Sequence, residues 1–267
     1  MLHYEAVGAP YSEIELVRQS TRRLLRSAEA LTDTEVAQPC LLPGWSRAEL
    51  LTHLARNADG FRRMAEGAAR GESAEMYPGG REGRAADIAA GRGASARMVL
   101  ADLRRASDSL METWSALPEA AWARPGRMVS GMRAIAETVE IRRREVEVHH
   151  VDLGTDYTPV DWPVAFVGST LDDAMESLPA RAAPHRPNVH ARYRVEATDH
   201  GRSWVVALDG HRVDVEPNDA DDVDAVVSGW GCDLLAWLYG RNGAGGTVTV
   251  AGHDGAALHL SSWFPYP

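Results

Sequence analysis

Lysine is absent from this chain: all 28 of its basic residues are arginine. That removes a Schiff-base lysine, a phosphate-loop lysine and a lysine general base from the catalytic options. Alanine, arginine and glycine are abundant, which fits a GC-rich coding sequence, so the arginines carry no functional weight by number alone. Cysteine is nearly absent. Cys40 and Cys232 are far apart and form no CxxC pair, which excludes a zinc finger and a thioredoxin-type motif and fits a reducing cytoplasm. No GxSxG elbow is present, so serine hydrolase chemistry has no anchor. No apolar run reaches about 18 residues, and MLHYEAVGAPYSEIELV lacks the basic and then apolar pattern of a leader. A soluble, unexported protein is expected. The net charge of -10 argues against nucleic acid and anionic membranes as partners.

With 267 residues, 45% of them hydrophobic, the chain can bury a sizeable core in one large domain or two ordinary ones. Helical spacing of apolar residues predicts four long helices in the first half. The first runs over about 12–30, with Ile14, Val17, Leu24 and Leu25 as its apolar side. The second is capped by Ser46 with Glu49 three residues on, and runs to about Gly67. The third covers about 94–117. The fourth covers about 132–153 and ends at Gly154. A short helix is expected at RAADIA, within the glycine-rich linker between the second and third. After Gly154 the texture changes to TDYTPVDWP, a linker, then a helix over about 165–178. Alternating segments follow, ARYRVEAT, SWVVAL, RVDVEP, AVVSG and TVTVAG, with one more helix, CDLLAWLYGR, among them. The expected fold is α+β in two domains: a four-helix bundle over 1–156 and a smaller α+β domain with a mainly antiparallel sheet over 157–267. GRNGAGG is read as a turn, because its glycines miss the phosphate-loop spacing.

REVEVHHVDLG carries the strongest local signal. Glu145 and His149 are four apart and share a helix face, whereas His150 and Glu147 point elsewhere, since neighbouring helical residues diverge by about 100°. On the second helix His53 and Asn57 lie on the side facing the bundle interior. His53, Glu145 and His149 together make two imidazoles and one carboxylate, the donor set of a catalytic zinc site with a position left open. The alternative is a coincidental spacing of ordinary core residues. Asp152 is placed to hold the His149 imidazole, or is simply a residue of the last turn. Arg142 is placed to bind a carboxylate, or is a solvated helix arginine.

LLPGWSRAELLTHLARNADG, MYPGGREGRAADIAAG, REVEVHHVDLG and VVSGWGCDLLAWLYGRNG together resemble the mycothiol-dependent maleylpyruvate isomerases, within the DinB-like metalloenzyme superfamily. The resemblance implies a DinB-like bundle, mycothiol as thiol cofactor, and a metal held by His53, Glu145 and His149. It also implies a functional arginine at Arg241, reaching substrate or cofactor near the metal. Asn57, Arg84 and Arg142 fall in matching runs as candidates for substrate or cofactor binding. The glycine-rich MYPGG run and the LSSWFPYP tail depart from the family pattern. The implied reaction is cis-trans isomerisation of maleylpyruvate to fumarylpyruvate through a metal-activated thiolate. Transfer of mycothiol to another electrophile, thiol exchange on a biosynthetic intermediate, and a non-catalytic metal-binding module are the alternatives. The implied partners are a small substrate and a low-molecular-weight thiol.

Overall fold

The computed structural model describes residues 9–181, 186–217, 222–241, 247–252 and 255–264. The chain has a mixed α+β fold with a mainly antiparallel sheet and divides into two compact units, residues 1–157 and 158–267.

The first unit contains α1 (Tyr11–Glu29), α2 (Asp33–Val36), α3 (Arg47–Ala69), α4 (Gly80–Ala89), α5 (Ala96–Ser115), α6 (Glu119–Trp122), β1 (Pro125–Met128), β2 (Gly131–Ala134) and α7 (Glu137–Asp152). The long helices α1, α3, α5 and α7 pack on one another, with α3 against α5 and α1 against α7 as the broadest faces. Their shared core includes Leu24, Leu50, Leu54, Phe61, Leu103, Leu110, Trp114 and Val146, all fully buried. Each such side chain contributes roughly 1.5–3 kcal/mol through its removal from water. α3 starts where the sequence places it: Ser46 Oγ accepts from Glu49 N–H, and the Glu49 carboxylate accepts from the Ser46 backbone N–H at 3.0 Å. These bonds satisfy donors that a helix start leaves open.

Two boundaries in this unit differ from expectation. Residues 132–134 are strand, because β1 and β2 form an antiparallel hairpin pairing Met128 with Gly131, and α7 begins only at Glu137. Met132, Ile135 and Val139 match helical spacing, which carries the apparent helix too far back, yet Met132 is exposed on the hairpin. α4 is longer than RAADIA and is entered through Gly79 and Gly80, both at positive φ. At its approach, Gly60 of α3 lets the linker lie against the helix, since a Cβ there would meet Met76 Cγ at 2.7 Å.

The second unit contains α8 (Val164–Ser177), β3 (Val189–Ala197), β4 (Arg202–Gly210), β5 (Arg212–Pro217), β6 (Ala225–Gly229), α9 (Gly231–Leu238), β7 (Thr249–Gly252) and α10 (Leu260–Trp263). The sheet order is β5-β4-β3-β6-β7, antiparallel except for β3 with β6. Alternation puts Tyr193, Val195, Val206 and Val227 in the core. α9 ends earlier than CDLLAWLYGR implies, at Leu238. Gly240, at φ 72, takes the left-handed conformation, the Gly240 N–H bonds Trp237 O and the Arg241 N–H bonds Ala236 O. That pair of bonds is the glycine-terminated C-cap, and it places Arg241 beyond the helix. The expected turn at GRNGAGG falls largely on residues 242–246, and the last three residues of the tail on 265–267; both lie outside the described residues.

Candidate metal centre

His53 comes from the second turn of α3, and Glu145 and His149 from one face of α7. The two helices are tied at their ends. Arg47 Nε donates to Leu153 O at 2.8 Å and Arg47 Nη2 to Gly154 O at 2.8 Å, while Leu41 N–H donates to Asp152 O at 2.8 Å. These bonds set the depth at which His53 faces α7.

The three side chains converge. His53 Nε2 lies 3.0 Å from Glu145 Oε2, His149 Nε2 lies 3.5 Å from the same oxygen, and one donor atom from each residue falls within 4.8 Å of the others. The imidazoles stand edge to face, with centroids 5.0 Å apart. Tetrahedral zinc, with ligands at about 2.0–2.2 Å, places its donor atoms about 3.3 Å from one another, so two imidazoles and a carboxylate at these separations fit such an ion with small adjustment. The His53 side chain is 3% exposed while that of Glu145 keeps 29%, so the carboxylate side is the open one.

Asp152 Oδ2 lies 2.8 Å from His149 Nδ1. Its carboxylate can only accept, so Nδ1 carries hydrogen and Nε2 points toward Glu145. Burial opposes charge on His149, but the hydrogen bonds and charges of Asp152 and Glu145 outweigh it and raise the pKa to about 8. Burial instead dominates at His53 and lowers its pKa to about 4. Burial also works to raise Glu145, yet the hydrogen bonds from His149 and His53 hold it well below the usual carboxylate range. Without an ion, the cluster at neutral pH is therefore a charged His149, an ionised Glu145 and a neutral His53.

Other candidates surround this cluster. Arg84, on α4, places Nη2 3.2 Å from His53 Nδ1, and its guanidinium carbon sits 5.8 Å from the centre of the Tyr77 ring. Burial, then the Glu145 charge, raises the Tyr77 pKa. Asn57 Oδ1 accepts from Arg142 Nη1 at 2.7 Å, and the same nitrogen donates to Leu54 O at 2.9 Å. Arg142 is 1% exposed and is no solvated arginine; burial lowers its pKa to about 10. Its guanidinium supports Asn57 and the α3 backbone from inside the helices, away from any open face. Tyr77, and Trp45 whose ring meets His53 edge-on at 5.6 Å, are neighbours that periodicity cannot find, because both lie in irregular segments. An aromatic set among glycines, as in MYPGG, was the available signal for Tyr77.

His150 and Glu147 face α1. The Glu147 carboxylate accepts from Ser20 Oγ, Arg23 Nη2 and Tyr157 OH, and His150 Nε2 lies 2.8 Å from Ser27 Oγ. Both cysteines are free and buried, and burial raises the Cys40 thiol and pushes Cys232 up to about 11. Neither is a ready thiolate at neutral pH. In the second unit Arg241 is half-buried and its Nη1 donates to Tyr239 O.

Comparison with known proteins returns a consistent family. The model of the mycothiol maleylpyruvate isomerase N-terminal domain matches residues 17–154. Among solved structures, the fold is similar to that of a mycothiol-dependent maleylpyruvate isomerase, with a TM-score of 0.76 and 23% identity over 90% of this chain and 92% of that one. A histidine-to-alanine mutant of the mycothiol-dependent maleylpyruvate isomerase gives the same values. No curated protein matches the sequence.

Proposed function

Because the chain belongs to the mycothiol maleylpyruvate isomerase family, we propose that it is a metal- and mycothiol-dependent cis-trans isomerase converting maleylpyruvate to fumarylpyruvate. In this reading residues 1–156 form a DinB-like four-helix bundle that carries the metal, and residues 157–267 form a second domain. The observation that carries the metal is the meeting of His53, Glu145 and His149 donor atoms within 4.8 Å, with Asp152 orienting one of the imidazoles. Zinc suits this nitrogen and oxygen donor set. Among the described residues no helix is long and apolar enough to cross a membrane, and the two free thiols fit our assignment to the cytoplasm.

His53, Glu145 and His149 would hold the ion, and Asp152 would keep the His149 ring turned toward it. Bound together, the ion and mycothiol would supply a stabilised thiolate, the nucleophile that reversible cis-trans isomerisation of the double bond requires. Arg142 and Asn57 fix the α3 backbone beneath His53. Tyr77 and Arg84 line the same cluster and are suited to a substrate or cofactor carboxylate. Arg241 is assigned to a carboxylate of the substrate or thiol cofactor. The purified protein is expected to convert maleylpyruvate, followed by absorbance, only when mycothiol is added. Conversion without mycothiol would overturn the cofactor, and consumption of mycothiol with no trans product would replace isomerisation by thiol transfer.

Ion uptake also has a pH signature. The His149 pKa, raised from 6.5 to about 8 in the folded protein, means its proton stabilises the ion-free fold fully below 6.5, a contribution lost as pH rises through about 8. An imidazole ligand must be neutral, so loading near pH 7 displaces that proton. Zinc affinity, measured by chelator competition, is expected to rise about tenfold per pH unit up to about 8 and then level off. Affinity independent of pH between 6 and 8 would contradict the assignment of His149 as ligand.

A further inference from the structure

The two histidines differ at the nitrogen turned away from Glu145. His149 Nδ1 faces the Asp152 carboxylate, an acceptor, at 2.8 Å. His53 Nδ1 faces the Arg84 guanidinium, which can only donate, at 3.2 Å. A neutral imidazole has one N–H and one lone pair. With Arg84 donating to Nδ1, the His53 lone pair is used there and the hydrogen sits on Nε2, aimed at Glu145 Oε2 at 3.0 Å. Nε2 then has no lone pair for a cation. Asp152 thus keeps hydrogen on His149 Nδ1, so that Nε2 is the atom left for an ion once its proton is lost, whereas Arg84 holds His53 in the opposite tautomer.

Resting on the metal reading above, we propose that Arg84 is a releasable clamp on His53: it must leave Nδ1 before an ion binds Nε2, and once released it is free for a ligand carboxylate. Proton balance allows this without net change at His53. As the guanidinium leaves, Nδ1 gains a proton from water and Nε2 gives one up to water. The element carrying Arg84 is suited to such movement. α4 has a single buried residue, Ile88, and is entered through two glycines at positive φ. Few buried contacts mean a low local opening cost. The Tyr77 ring, 5.8 Å from the guanidinium carbon, offers a surface along which the planar group can slide. Because ion and guanidinium compete for the same imidazole, a carboxylate that draws Arg84 away raises ion affinity, and by linkage the ion raises carboxylate affinity.

Two measurements test the clamp. In ion-free protein labelled with nitrogen-15, long-range proton–nitrogen spectra of His53 are expected to show hydrogen on Nε2 in the wild type and on Nδ1 after zinc is added. In chelator competition, Arg84→Met and Arg84→Gln are expected to bind zinc about tenfold more tightly than the wild type, the worth of one hydrogen bond to a charged group. Asp152→Asn moves the opposite way, weaker by about 10–100-fold. Circular dichroism identifies any variant that fails to fold, and the wild-type spectra stand apart from the variants. Hydrogen on His53 Nδ1 in the ion-free wild type, or weaker zinc binding by both Arg84 variants, overturns the clamp alone. Absence of zinc binding by wild type and variants alike overturns the metal reading and the clamp together.

Discussion

Alanine at Glu145 is expected to leave the protein without its divalent ion. The Glu145 carboxylate is the one oxygen donor of the cluster and lies within 3.0 Å of His53 Nε2 and 3.5 Å of His149 Nε2. Removing it takes away the negative charge that offsets a cation and leaves only two imidazoles to hold the ion. Ion content by atomic spectroscopy is expected to fall from near one per chain to less than about a tenth, and isomerase activity by at least about a thousandfold, several kcal/mol of lost transition-state stabilisation. His53→Ala is expected to do the same. His150→Gln is the control: His150 bonds Ser27 and faces α1, so that variant keeps its ion. Stoichiometric zinc in both His53→Ala and Glu145→Ala would refute the ligand assignment, and an ion-free His150→Gln would mean that α7 presents a different face.

The second large effect is expected at Arg241. Arg241→Ala is expected to lower kcat/KM by at least about tenfold, or about 1.4 kcal/mol of transition-state binding, with normal ion content and little change in Tm. Helix capping provides the competing account. Arg241 sits just past α9, its N–H bonded to Ala236 O and its guanidinium to Tyr239 O, where a cation contributes about 0.3–1 kcal/mol to a helix end. The backbone bond survives truncation of the side chain, so a capping role alone would cost a little stability and no activity. Arg241→Lys separates the two further. Lysine keeps the charge that favours a helix C-terminus but lacks the two-pronged fork that grips a carboxylate, so activity falls only if the fork is what matters. Full activity in both variants would remove Arg241 from the site.

Much of this organisation was legible in the chain. Ile14, Val17 and Leu24 repeat at helical spacing and are buried; Ser46 and Glu49 announce the start of α3 and form both bonds of its cap. The Glu145 to His149 spacing put two side chains on one face, because a helix returns to the same side every 3.6 residues. What stayed hidden has physical causes. The β1–β2 hairpin is concealed by Met132, which keeps helical phase while lying in a strand. The burial of Arg142 is invisible to a scale that counts arginine as polar, since it depends on Leu54 O and Asn57 across the unit. Trp45 meets His53, and Tyr77 meets Arg84, from irregular backbone, where no period exists to be read.

The polar contacts between α1 and α7 have a bearing on that adjacent histidine pair. Apolar side chains pack non-directionally and tolerate rotation about a helix axis, and turning α7 by one residue would offer His150 to α3 in place of His149. Hydrogen bonds do not tolerate it. Glu147, bonded to Ser20, Arg23 and Tyr157, and His150, bonded to Ser27, act as a key in a lock on the far side of the helix. Rotation would strand a buried carboxylate away from its donors, at a cost of a few kcal/mol. A chain carrying two neighbouring imidazoles thus has its choice between them made on the opposite face, by residues that never approach the ion.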